Sequence, residues 1–130
     1  MRILGVDYGT KRIGFAVGTT EQRIAFPRDV AEGRDAALAS IKRRTEEEGI
    51  AEIVIGMPIR HGGGEGELAG AIRDFARELE SRFSLPVHFQ NEIFSTKVIR
   101  RGTVAKHKVD AASAALILQS YLERIMKHEL

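Results

Sequence analysis

A chain of 130 residues with a net charge of only +2 is long enough for one domain with its own core, and too nearly neutral for its overall charge to name a partner. Hydrophobic residues make up 43% and charged residues 29%, which is too aliphatic for disorder. Cysteine is absent, so disulfides, thiolate catalysis and cysteine-held zinc or iron–sulfur centres are excluded, and any metal must be held by oxygen or imidazole.

The opening stretch predicts a hairpin. Ile3, Leu4 and Val6 read as a buried strand, and Ile13, Phe15 and Val17 alternate with small residues as a second strand does. Tyr8-Gly9-Thr10-Lys11-Arg12 is the turn between them. Asp7 ends the first strand, its backbone covered by apolar neighbours and its carboxylate expected to face outward. Such an acid either caps the turn through the Gly9 or Thr10 amide or serves a ligand. A polar turn, residues 19–23, leads to a third strand at Ile24-Ala-Phe-Pro27, placed at a sheet edge because Pro27 brings no ladder donor.

Asp35 is expected to cap a helix running to about Glu48, with Ala37, Leu38 and Ile41 inward and Gly49 as its stop. The run Ile50 to Pro58 is a buried strand, so strand, helix, strand predicts a parallel crossover. Gly62, Gly63, Gly64 and Gly66 form a loop with too many glycines to hold one conformation unaided, and no Lys-Ser or Lys-Thr follows to make it a nucleotide cradle. Leu68, Ile72, Phe75, Ala76, Leu79 and Phe83 mark one helical face. Leu85 to Gln90 is the next strand, delivering Asn91 and Glu92 to its C-terminal end. A short helical stretch is expected from Ser95 to about Arg101, stopped by Gly102. A last, alanine-rich helix is expected from about Val109 to Met126, with Asp110 in its first turn, where the helix dipole favours an acid.

Charge is unevenly spread. Residues 97–108 hold five cations, Lys97, Arg100, Arg101, Lys106 and Lys108, with His107 and no acid, whereas residues 31–80 hold eleven acids against seven bases. A basic run of this kind is either a solvated face or a grip on backbone phosphates. Asp7, Glu92 and Asp110 occupy strand ends and a helix start, and ligands of a parallel sheet bind outside the carboxyl ends of its strands. Three converging carboxylates repel one another unless a cation lies between them, and hard oxygen ligands suit Mg²⁺ or Mn²⁺.

Asp7-Tyr-Gly-Thr-Lys-Arg-Ile-Gly14, Gly56-Met-Pro58 with Glu65-Gly66, Asn91-Glu92-Ile-Phe-Ser-Thr96 and Lys108-Val-Asp110 through Leu122 resemble, in order, the motifs of the YqgF/RuvX family. These are bacterial ribonuclease H-like nucleases, described as Holliday junction resolvase-like proteins and as candidate pre-16S rRNA processing nucleases. The resemblance implies a single α/β domain over 1–130. Its fold would be a mixed five-stranded sheet of order 3-2-1-4-5 with helices on both faces. It also implies a hydrolase of phosphodiester bonds in structured RNA or branched DNA, with Asp7, Glu92 and Asp110 as catalytic metal carboxylates for two Mg²⁺ or Mn²⁺ ions.

His107, one turn before Asp110, stands where related resolvases place a further ligand. Lys11, Arg12 and the basic run from Lys97 to Lys108 would bind substrate phosphates. Where the family reads Asp-Glu-Arg this chain has Asn91-Glu92-Ile93, losing an acid and a cation beside Glu92. Two other readings stay open: a nucleic-acid-binding factor that has lost catalysis, and a relative of actin-like ATPases, whose first phosphate loop Asp7-Tyr-Gly-Thr10 also resembles. A resolvase is expected to be a two-fold homodimer, an rRNA-trimming enzyme a monomer. No leader pattern and no apolar run of ~20 residues is present, so the cytosol is the expected location and no membrane partner is expected.

Overall fold

Strand β1 (Arg2–Tyr8) is buried from Ile3 to Asp7, which requires cover on both faces and a neighbour along each edge. The computed structural model, which describes residues 1–59, 64, 66–93 and 109–128, supplies all four. Strand β2 (Arg12–Thr19) pairs antiparallel on one edge of β1, and β3 (Ala25–Glu32) pairs antiparallel with β2. Helix α1 (Arg34–Glu47) then crosses to β4 (Ile50–Ile59), which pairs parallel on the other edge of β1. Helix α2 (Ala69–Phe83) leads to β5 (Val87–Ile93), parallel to β4, and α3 (Ala111–His128) closes the chain. The sheet order is β3-β2-β1-β4-β5, the arrangement the family resemblance implied.

Side-chain alternation divides the core into two layers. Leu4, Val6, Ile13, Phe15, Ile53 and Ile55 face α1 and α2, meeting Leu38, Ile41, Ile72, Phe75 and Leu79. Ile3, Ala16 and Val54 face α3, meeting Ala114, Ile117, Leu118, Tyr121 and Leu122. Helices therefore lie on both faces. On the α3 side the strands carry glycine wherever the helix passes closest. A Cβ at Gly56 would meet the Ile117 side chain, and one at Gly14 would collide with the Asp110 carbonyl.

Several local expectations need correcting. Strand β3 runs on to Glu32 because Pro27 sits on an edge strand opposite Ala16, where a missing donor costs the ladder little. Strand β5 continues through Asn91 and Glu92 because Met57 and Pro58 of β4 still stand beside them. Asp35 does not cap α1: the N-cap is Gly33, whose N–H donates to Lys11 O at 2.9 Å and so ties the helix start to the first turn. Of the glycine run only Gly64 and Gly66 are described, and the helix expected over 95–101 lies outside the described residues.

Candidate functional site

Asp7 shares the α3 face of β1 with Ile3 and Gly5, by alternation, and stands opposite Gly14 of β2. That pairing decides its surroundings. Gly14 carries the Asp110 carbonyl on its bare Cα, and Gly9 likewise carries Val109, so the start of α3 roofs the end of the first hairpin. Asp7 is consequently buried, 6% exposed, where the sequence expectation was an outward-facing carboxylate. The cover comes from a helix a hundred residues away, which the local pattern around Asp7 does not encode.

Asp110 immediately precedes α3 and acts as its N-cap. Its Oδ1 accepts the Ser113 N–H at 2.8 Å, and its carbonyl accepts the Ala114 N–H at 3.2 Å. The expected first-turn electrostatics of Asp110 thus take the form of a cap, while its backbone is held against the partner position of Asp7.

Glu92 occupies the α3 face of β5, beside Pro58 of β4. Its carboxyl is half-buried, and its Oε1 is buried with no hydrogen-bond partner. Burial pushes the Glu92 pKa up, the Ser120 hydroxyl of α3 works in the opposite direction, and the Asp7 charge adds to the upward shift. Two carboxylates from strands two positions apart therefore sense each other in a partly desolvated place. A buried carboxylate oxygen without a donor, facing a second acid, fits a divalent cation with hard oxygen ligands. Among the described residues, no group of three or more His, Cys, Asp or Glu side chains stands ready to hold an ion. The pair Asp7 and Glu92 is what the fold brings together electrostatically, with Asp110 adjoining through Gly14.

Lys11 and Arg12 are exposed on the turn after Asp7, and Gly33 fixes the backbone beneath them through the Lys11 carbonyl. His107, Lys97, Arg100, Arg101, Lys106 and Lys108 lie outside the described residues. Ser120 was not singled out from the sequence. The signal was available as spacing, because Asp110, Ser113, Ser120 and Arg124 recur at helical intervals along one flank of the helix. No described helix is long and apolar enough to cross a membrane.

The profile of the RuvX family, described as Holliday junction resolvase, matches residues 1–124. A relative from Koribacter versatilis is 38% identical over 95% of this chain and 87% of its own length. Others from Moorella thermoacetica and Maridesulfovibrio salexigens are 36% and 34% identical and cover 96% and 99% of their own lengths, and 96% and 95% of this chain. All three are described as candidate pre-16S rRNA nucleases. Among solved structures, T. thermophilus RuvC in complex with a Holliday junction substrate superposes with a TM-score of 0.59 at 13% identity. The match covers 97% of this chain and 96% of that one, a likeness of ribonuclease H-like fold.

Proposed function

The chain belongs to the RuvX family of nucleases, and from that premise we propose that it is a divalent-metal-dependent endonuclease that hydrolyses phosphodiester bonds in structured nucleic acid. The observation that carries the reading is the Asp7–Glu92 pair, with the partnerless buried oxygen of Glu92. Asp7, Glu92 and Asp110 would hold Mg²⁺ or Mn²⁺. When bound, the metal supplies charge stabilisation for an in-line displacement and makes water a competent nucleophile near neutral pH.

The chain's own residues do the remainder. Asp7 and Glu92, set in parallel strands on either side of β4 in a rigid sheet, fix the direction from which a cation and a phosphate can approach. Asp110 holds the helix start over Asp7 through its contact with Ser113, which limits water in the site. Lys11 and Arg12, exposed beside Asp7, neutralise a phosphate of the scissile region. The relatives' descriptions favour precursor 16S rRNA as substrate, and the family description favours a four-way DNA junction.

The test is a side-by-side cleavage assay on a four-way DNA junction and a precursor rRNA fragment, each with Mg²⁺ and with Mn²⁺, using Asp110→Asn as blank. Asp7→Asn is expected to abolish cleavage while leaving nucleic-acid binding largely intact; undiminished cleavage by that variant removes the mechanism. Binding without cleavage by the wild-type protein, with either metal, makes it instead a nucleic-acid-binding factor.

A further inference from the structure

The α3 face of β5 carries a second feature two residues before Glu92. Arg124 of α3 donates from Nε to Gln90 Oε1 at 2.9 Å and from Nη2 to the Phe89 carbonyl at 3.5 Å, and its guanidinium lies over the Tyr121 ring at 5.2 Å. Despite these contacts the side chain is exposed. Only two of its five N–H donors are engaged among the described residues, which leaves part of a planar fork facing solvent. A guanidinium already fixed by an amide, a carbonyl and a ring loses little rotamer freedom on gripping an anion.

Gln90 and Glu92 point to the same side of β5, toward Arg124 and Ser120 of α3. Their separation along the strand is about 6.6 Å, which keeps the anchor of Arg124 close to Glu92. Of the nearby acids, Glu52 acts together with Arg124 on the Tyr121 hydroxyl and offsets part of the cation's charge. Glu52 of β4 lies 3.3 Å from His88 Nε2, and Glu123 is exposed about a hundred degrees round the helix from Arg124.

We propose that Arg124, tethered by Gln90, grips a backbone phosphate flanking the scissile one, so that the substrate strand passes from the Asp7–Glu92 pair along β5 beside α3. The proposal rests on the nuclease reading and adds to it the path of the strand. The contact is to phosphate, so it is indifferent to base sequence.

The experiment is fluorescence-anisotropy binding of a labelled RNA hairpin and of a four-way DNA junction in metal-free buffer, where nothing is cut, at several salt concentrations. Arg124→Gln is expected to weaken binding of the engaged probe about five- to ten-fold near 0.1 M salt and to lower the log–log salt slope by about 0.7 to 0.9, the signature of one lost phosphate contact. Gln90→Ala keeps the cation and is expected to weaken binding less, with the slope unchanged. Thermal unfolding of both variants accompanies the titrations, because a folding defect weakens binding without removing one unit of slope. Wild-type affinity and slope in Arg124→Gln, or weakened binding at unchanged slope, overturns the proposal and leaves the nuclease reading standing. Failure of the wild-type protein to bind either probe overturns the proposal, and the nuclease reading is decided separately by cleavage with Mg²⁺ or Mn²⁺.

Discussion

Two charged residues set the local energetics, and they behave oppositely. Glu92 is a half-buried acid beside Asp7, so its charge destabilises the metal-free protein. Glu92→Gln is therefore expected to raise the Tm of the metal-free protein and to remove most of the further rise that Mn²⁺ gives the wild type, both read by scanning calorimetry. A lower metal-free Tm together with an unchanged Mn²⁺ response would contradict the placement of a cation there. Arg44 is a buried base, 1% exposed. It pairs closely with Asp29, reaches Ser40 at 3.3 Å and Glu48 at 3.4 Å, and lies over the Phe15 ring. Its partner Asp29 is half-exposed, so water can replace the guanidinium there. Arg44→Ala is expected to cost about 2–4 kcal/mol through the cavity and the lost pairs, and Arg44→Met about 1 kcal/mol or less, by urea unfolding.

Among the elements, α3 depends on how closely it approaches the sheet, and two glycines separate backbone from side-chain crowding. At Gly14 an added Cβ meets the Asp110 carbonyl, which cannot move without lifting the helix start; at Gly56 it meets the outer atoms of Ile117, which can rotate. Gly14→Ala is expected to cost about 1–3 kcal/mol and Gly56→Ala clearly less, and Ile117→Val, which removes the Cδ1 contact, should recover part of the Gly56→Ala loss. Gln119 fastens the same helix to β3, accepting the Ala25 N–H at 2.9 Å and donating to the Arg23 carbonyl at 3.1 Å.

On the other face, Arg34 of α1 pairs with Glu78 of α2, and that hydrogen bond, with the Arg34 and Arg82 charges, holds the Glu78 pKa below its ordinary value. A carboxyl lowered in the folded state is less protonated there than in the unfolded chain. Its stabilisation is present above the unfolded carboxylate pKa and lost as pH falls through the folded one. The loss of stability below about pH 4.5 should be shallower in Glu78→Gln than in the wild type, measured by urea unfolding across that range.

As a whole, the molecule has one sheet shared by both core layers: β1, β2 and β4 each contribute to the layer under α1 and α2 and to the layer under α3. Neither layer can open without stripping those strands, so the described chain is expected to unfold as one unit. Calorimetry should show a single transition with matching calorimetric and van't Hoff enthalpies and a heat-capacity change of about 1.6–2 kcal/mol/K for 130 residues. Two resolved transitions would mean that α3 and its glycine-lined face melt separately.

Most elements, and the end of β1 as the place of an acid, were legible in the amino-acid sequence, because alternation and helical spacing report which side of a segment is buried. Glu92 was legible as a strand-end acid, although β5 runs further than its own apolar pattern suggests, since β4 holds it in register. The burial of Asp7, the burial of Arg44 and the setting of Glu92 between Asp7 and Ser120 were decided only by tertiary structure. Periodicity is a property of one segment. Which other element covers it, and which charges that element brings along, depends on contacts between residues from 15 positions apart, as for Arg44 and Asp29, to about a hundred, as for Gly14 and Asp110.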